Sequence, residues 1–247
     1  MPAPPVPGIV VQRVQSAASA SWANPMTAAI QARDTIVAAM CFLGTATQGI
    51  ASITGIPGAQ FRQVTRQAGG SGSSVYGIDV WAAQNTGALA SGSTITLAPV
   101  QSTTGAVIIA RVPGPTGLIT GNAVYGSAGT VANPTPPPNQ ILDPVESGPA
   151  SPAPQLLLAF GLVTGNQGVG ISPTGGQPGA SSPTQLGDWS AIQSSPVGVL
   201  AAGWTHVGPA GNNRLTVRSS STSTQWPYLA WVLIPVARPG INAWTDA

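Results

Sequence analysis

Val75-Tyr76-Gly77-Ile78-Asp79-Val80-Trp81 is the stretch that decides the fold class. Apolar positions recur at every second residue, the period of a half-buried antiparallel strand and not of a helix. Arg214-Leu215-Thr216-Val217-Arg218 repeats that period far down the chain. Working outward, the same logic predicts strands over 35–43, 50–53, 60–67, 75–83, 93–98 and 106–112. After a long break come 155–163, 189–194, 197–207, 213–219 and 227–236. Gly, Pro, Ser and Asn separate these runs, and short strands with regular turn signals indicate a sandwich or barrel. The expectation is an all-β protein: an antiparallel β-sandwich, jelly-roll-like. One segment, the Ala-rich 26–40, also fits a helix.

The break at 113–154 contains Pro134, Pro136-Pro137-Pro138, Pro144, Pro149, Pro152 and Pro154. So many prolines preclude both a strand ladder and a helix, so the break reads as a linker or an extended surface crossing. Its two sides look alike. Ile36–Leu43, Phe61-Arg62-Gln63-Val64, the run from Val80-Trp81 to Gly87, Thr94-Ile95-Thr96-Leu97 and Ala106-Val107-Ile108-Ile109-Ala110 come first. Leu156-Leu157-Leu158-Ala159-Phe160, Trp189-Ser190-Ala191-Ile192, the run from Gly203-Trp204 to Gly211, Arg214-Leu215-Thr216-Val217 and Leu229-Ala230-Trp231-Val232-Leu233 follow in the same order. The expected organisation is therefore two similar five-stranded halves, about 34–112 and 155–236, within a sandwich spanning 17–236. Residues 1–16 read as a Pro-rich arm leading into a first strand, and 237–247 as a tail. The arm, residues 2–8, is either a disordered tail or a segment that docks on a neighbouring subunit, since Pro supplies no N–H and fixes φ.

Composition narrows the function. The 247 residues are 43% hydrophobic and only 6% charged, against roughly 25% charged in a usual domain. All eight basic residues are Arg, spread from Arg13 to Arg238, and the net charge is +2. Nucleic-acid binding requires clustered cations that displace counterions from phosphates, and no cluster stands here. Cys41 lies inside an apolar run, which suits a buried structural thiol, and a lone cysteine makes no intrachain disulfide. The N-terminal residues lack the basic and apolar regions of a signal peptide. No apolar run approaches the roughly 20 residues of a membrane helix. Synthesis in the cytoplasm without membrane passage is expected.

Catalytic equipment is thin. His206 is the sole histidine, and the nearest acids in sequence, Asp188 and Asp246, stand at no recognisable triad spacing. A carboxylate pair would have to come from Asp34, Asp79, Asp143, Glu146, Asp188 and Asp246. Asp143 and Glu146 are three apart but lie in the Pro-rich crossing. One His, one Cys and no acidic loop give a metal little to bind, and the glycine pairs at 168–170 and 175–176 precede no Gly-Lys that would cradle phosphate. The expectation is a protein that is not an enzyme and takes no cofactor or metal.

Seven Trp against three Phe is a skewed ratio. Trp81, Trp204 and Trp231 fall on predicted strands and read as core. Trp22, Trp189, Trp226 and Trp244 fall near turns. They either cap the ends of the core or form an interface or stack on a sugar face.

Asp34-Thr35-Ile36-Val37-Ala38-Ala39, Val80-Trp81-Ala82-Ala83-Gln84-Asn85, Gln155-Leu156-Leu157-Leu158-Ala159-Phe160 and Trp231-Val232-Leu233-Ile234-Pro235 together resemble β-sandwich modules of minor tail and related virion proteins from phages of actinobacteria. The resemblance spans most of 34–236 and consists of degenerate patterns. Where such a hairpin would carry Gly before Asp34, this chain has Arg33. The resemblance implies a virion component, assembled in symmetric homo-oligomeric copies on the tail or capsid surface, with other virion proteins as partners. It transfers no functional residue. A capsid decoration protein and a host-adsorption module that binds a cell-envelope glycan are the alternatives.

Overall fold

The computed structural model describes residues 5–44, 48–71, 74–125, 155–163, 169–174, 190–194, 198–207, 214–219 and 227–235. All regular structure among them is β. The first eight strands are β1 (Gly8–Ser19), β2 (Trp22–Pro25), β3 (Thr35–Gly44), β4 (Ile50–Thr54), β5 (Arg62–Ser71), β6 (Ser74–Ala83), β7 (Thr94–Pro99) and β8 (Thr103–Val112). The remaining seven are β9 (Thr120–Tyr125), β10 (Gln155–Val163), β11 (Val169–Thr174), β12 (Ser190–Ser194), β13 (Gly198–Val207), β14 (Arg214–Ser219) and β15 (Pro227–Pro235).

The strands make four sheets, ordered β1-β8-β3-β6-β5, β2-β7-β4, β12-β13-β10-β15-β9 and β11-β14. Every strand pairing is antiparallel. Strand order 1-8-3-6 facing 2-7-4 is that of a jelly roll, here with β5 added to the edge of the first sheet beside β6. The antiparallel sandwich expected from the sequence is what forms.

The β1-β8-β3-β6-β5 sheet is covered on both faces, which explains why its central strands read as unbroken apolar runs. Ile36, Ala38, Met40 and Phe42 of β3 point with Val107 and Ile109 of β8 toward Trp22, Ile95 and Leu97 of the three-stranded sheet. Val37, Ala39 and Cys41 point the other way, with Ile108 and Ala110, onto Leu156, Leu158 and Phe160 of β10 and Val232 of β15. The two five-stranded sheets thus stack face to face, at a spacing that such packing sets near ~10 Å. Leu157 and Ala159 are also buried although they face away from this contact. β11 and β14 lie against β10 on that side.

The two halves share one connectivity. Matching β1, β3, β4, β5, β6, β7 and β8 to β9, β10, β11, β12, β13, β14 and β15 turns the order β1-β8-β3-β6-β5 into β9-β15-β10-β13-β12, and β7-β4 into β14-β11. The five similar segment pairs of the sequence fall on topologically equivalent strands. β2 has no counterpart among the described residues.

Four readings change. The 26–40 segment contains no helix: 26–34 is loop, with Ile30 bridged to Leu89, and β3 begins at Thr35, where its pairing with both β6 and β8 outweighs the local helical preference of alanine. The crossing at 113–154 does carry ladder bonds, since β9 pairs with β15 from Thr120 to Tyr125. No proline occurs between Pro115 and Pro134 to interrupt it. The loop-like glycines near 170 belong to β11, where Gly170 and Pro173 sit opposite Arg218 and Leu215. β1 also runs through residue 16, pairing with β8 from Gly8 to Ser19. Its irregularity between Ile9 and Val11 lets Val10 and Val11 both enter the same core.

Candidate functional site

Two buried carboxylates organise the first half. Asp79 stands on β6 opposite Met40, so it points into the jelly-roll interior and not toward the second half. It is fully buried. Its Oδ2 accepts the N–H of Ile50 at 2.8 Å and its Oδ1 accepts the Gln63 side-chain amide at 2.9 Å. Ile50 opens β4 in the facing sheet, so one carboxylate cross-links the two layers. Burial pushes the Asp79 carboxyl above its ordinary range; the Ile50 N–H, the Gln63 amide, the Trp81 indole and the Arg66 charge oppose that rise. The Trp81 Nε1 is itself buried, beside this carboxylate but outside full hydrogen-bond geometry. Arg66 lies across from Asp79 on β5 and holds its guanidinium 5.5 Å from the Phe42 ring centroid. Gly49 closes over this group: a Cβ there would stand 2.6 Å from Asp79 Oδ2.

Asp34 holds the other end, where the chain leaves the first half. It accepts the Gln31 N–H at 2.8 Å and the Gly114 N–H at 3.2 Å, and pairs with Arg111 at 3.3 Å. Its own carbonyl accepts from the Thr86 N–H and hydroxyl. Arg33, standing where glycine was expected, adopts φ 72°. It is held in that left-handed conformation by donating its N–H to Thr86 O at 2.7 Å. Beyond it, Thr35 and Thr116 hydroxyls meet at 2.8 Å, Gln84 donates to Thr116 O at 3.0 Å, and Gly117 donates to Pro235 O of the second half. The cluster fastens the 113–119 connection. It is a structural knot that joins the halves.

The tryptophans sort differently from expectation. Trp22 is 1% exposed and donates its Nε1 to Ser19 O, so it is core and not a surface contact; β2 lies flat against the central sheet and drives the indole inward. Trp189, Trp226 and Trp244 lie outside the described residues. Trp81 packs on the first-half interior and Trp204 on the contact between halves, both partly buried. Trp231 sits on β15 opposite Ala159, and His206 on β13 opposite Leu156. Asp143, Glu146, Asp188 and Asp246 lie outside the described residues.

Among the described residues no three His, Cys, Asp or Glu side chains gather to hold a metal, and no helix is long and apolar enough to cross a membrane. Asp34 and Asp79 each accept hydrogen bonds from backbone and neighbours as holding groups, and burial pushes the Cys41 thiol up to about 12, far from a reactive thiolate. Three arginines work inside the fold: Arg111 on Asp34, Arg66 over Phe42, and Arg62, which donates to Ile119 O at 3.0 Å. Large exposed hydrophobics among the described residues are Val6, Val100 and Leu118, on three different segments. Sequence reasoning missed both carboxylate clusters as organising centres, although an Asp inside an alternating strand was the visible signal for one.

What the geometry defines is an all-β protein of two stacked jelly-roll-like halves. No protein-family model matches the chain, and neither a curated protein nor a solved structure does.

Proposed function

We propose that the protein is a structural component of a bacteriophage particle, a minor tail protein whose work is protein–protein contact. The observation that carries this reading is the docking of two like β units through whole sheet faces, the kind of contact from which symmetric assemblies are built. A surface with few charges and much Ser, Thr, Gln and Asn supports it, as does the likeness of the strand patterns to phage virion modules. Mass spectrometry of purified particles, with immunogold labelling, tests the proposal. The chain is expected in particles at a fixed stoichiometry, with label on the tail. Label on the capsid would assign a decoration role instead. Absence from particles, with the isolated chain stable and monodisperse, would overturn the reading.

A further inference from the structure

The contact between the two halves has a symmetry that one continuous sandwich does not require. β1, at one edge of the first five-stranded sheet, touches β12 at an edge of the second; β5, at the opposite edge, touches β9. By strand equivalence β12 is the second half's β5 and β9 is its β1, so the two contacts are the same contact made twice in opposite senses. The remaining contacts repeat this. β8 meets β13 while β6 meets β15, and β8 meets β12 while β5 meets β15. Each pair is the exchange of the other. Such reciprocity is the signature of an isologous, two-fold interface, in which element i of one partner meets j of the other and j meets i.

The face also has the composition of a permanent subunit contact. On the first half the positions that point across it are Val37, Ala39 and Cys41 on β3, Ile78, Val80 and Ala82 on β6, and the even positions from Ala106 to Val112 on β8. These positions of the three central strands are apolar, and obligate homodimer faces resemble a domain core cut in two in this way.

We propose that the outer face of the β1-β8-β3-β6-β5 sheet is a docking surface for a second jelly-roll unit of this same kind. Residues 8–112 and 120–235 are then the two partners of a dimer carried on one chain, and the face accepts a second copy of the first half when the second half is withdrawn. The inference goes beyond the virion reading and does not depend on it, because it concerns the chain's own halves.

The test begins with the full chain carrying one protease site inserted between residues 126 and 154. Cys41 serves as a native reporter, since it lies in the contact and is fully buried. After cleavage the two fragments are expected to stay together one to one by native mass spectrometry, with Cys41 as resistant to alkylation as before. Equal amounts of isotope-labelled and unlabelled cleaved protein should then exchange halves and form hybrids. After separation in denaturant, the N-terminal fragment refolded alone is expected to form a dimer with Cys41 again protected, and added C-terminal fragment should convert it to the one-to-one complex. A folded monomeric N-terminal fragment with a reactive Cys41 would overturn the proposal. Should that fragment fail to fold alone, the exchange experiment decides: hybrids support two docking units, and their absence shows a single inseparable core and sinks the idea.

Discussion

The central sheet has two faces made by the same strands, and they are not alike. Toward the second half, β3 presents Val37, Ala39 and Cys41; toward the three-stranded sheet it presents Ile36, Ala38, Met40 and Phe42. The first face is made largely of small and β-branched side chains. The second encloses Trp22, Met26 and Phe42 and admits one carboxylate, Asp79. A sheet that must lie flat on another sheet needs low relief along its whole length. A jelly-roll interior, closed by a smaller sheet and loops, needs bulk to fill it to native density. Even its backbone is shaped for that bulk: Phe42 lies between Gly77 and Gly105 in the ladder, and a Cβ at Gly77 would run into the Phe42 ring.

The largest expected effect comes from emptying the bulky face. Phe42→Ala should lower stability by about 3–5 kcal/mol in urea unfolding, since the flanking glycines offer no side chain to refill the space and Arg66 loses its ring. A cost under about 1 kcal/mol, less than the usual price of deleting a buried aromatic, would show that this face is loosely packed. Next comes a matched pair. Ala39→Leu and Ala38→Leu add the same volume to opposite faces of one strand, and overpacking should cost about 1–3 kcal/mol in each. Only Ala39→Leu is expected to speed alkylation of Cys41, because it alone wedges the two halves apart. Equal acceleration by both would erase the distinction between the faces.

Asp34→Ala is expected to cost a comparable or smaller amount, about 1–3 kcal/mol, because the Gln31 and Gly114 N–H groups lose their acceptor. Arg111 is partly exposed at 28%, so the ion pair itself adds little. The smallest effect is a slope. Burial raises the folded-state value of Asp79 above the ordinary 3.8, so the native state binds this proton more tightly than the unfolded chain does. The resulting stabilisation is complete below the unfolded value and is lost as pH rises through the raised folded value. Asp79→Asn should flatten that decline. Urea midpoints measured from pH 3.5 upward would check it, and an unchanged slope would show that the carboxyl titrates as in the unfolded chain.

Much of the fold was legible because apolar periodicity is a local property. β3, β6, β8, β10, β13 and β15 all fall on predicted strands, and the order of five segment pairs matched the equivalent strands. β2, β9 and β11 were not legible. They are short strands of four to six residues, and all three contain Pro or Gly where a central strand would not, so pairing alone defines them. The aromatic match misled in one respect. Trp81 and Trp204 sit toward the ends of equivalent strands yet face opposite sides of their sheets, because a shift of one residue turns a side chain to the other face. The site was less legible than the fold. Of four turn-borne tryptophans, the one described is buried, since a turn's neighbourhood says nothing about which sheet folds over it.

The sequence by itself determined that this chain is all-β, sparsely charged and internally repetitive, because strand period, turn residues and composition are written in neighbouring positions. An unbroken apolar run such as 36–43 even announces that both faces of its strand are covered. Which partner covers each face was decided only in three dimensions. The same apolar surface is satisfied by any flat apolar neighbour, and the choice between the three-stranded sheet and the second half depends on contacts between residues more than a hundred positions apart.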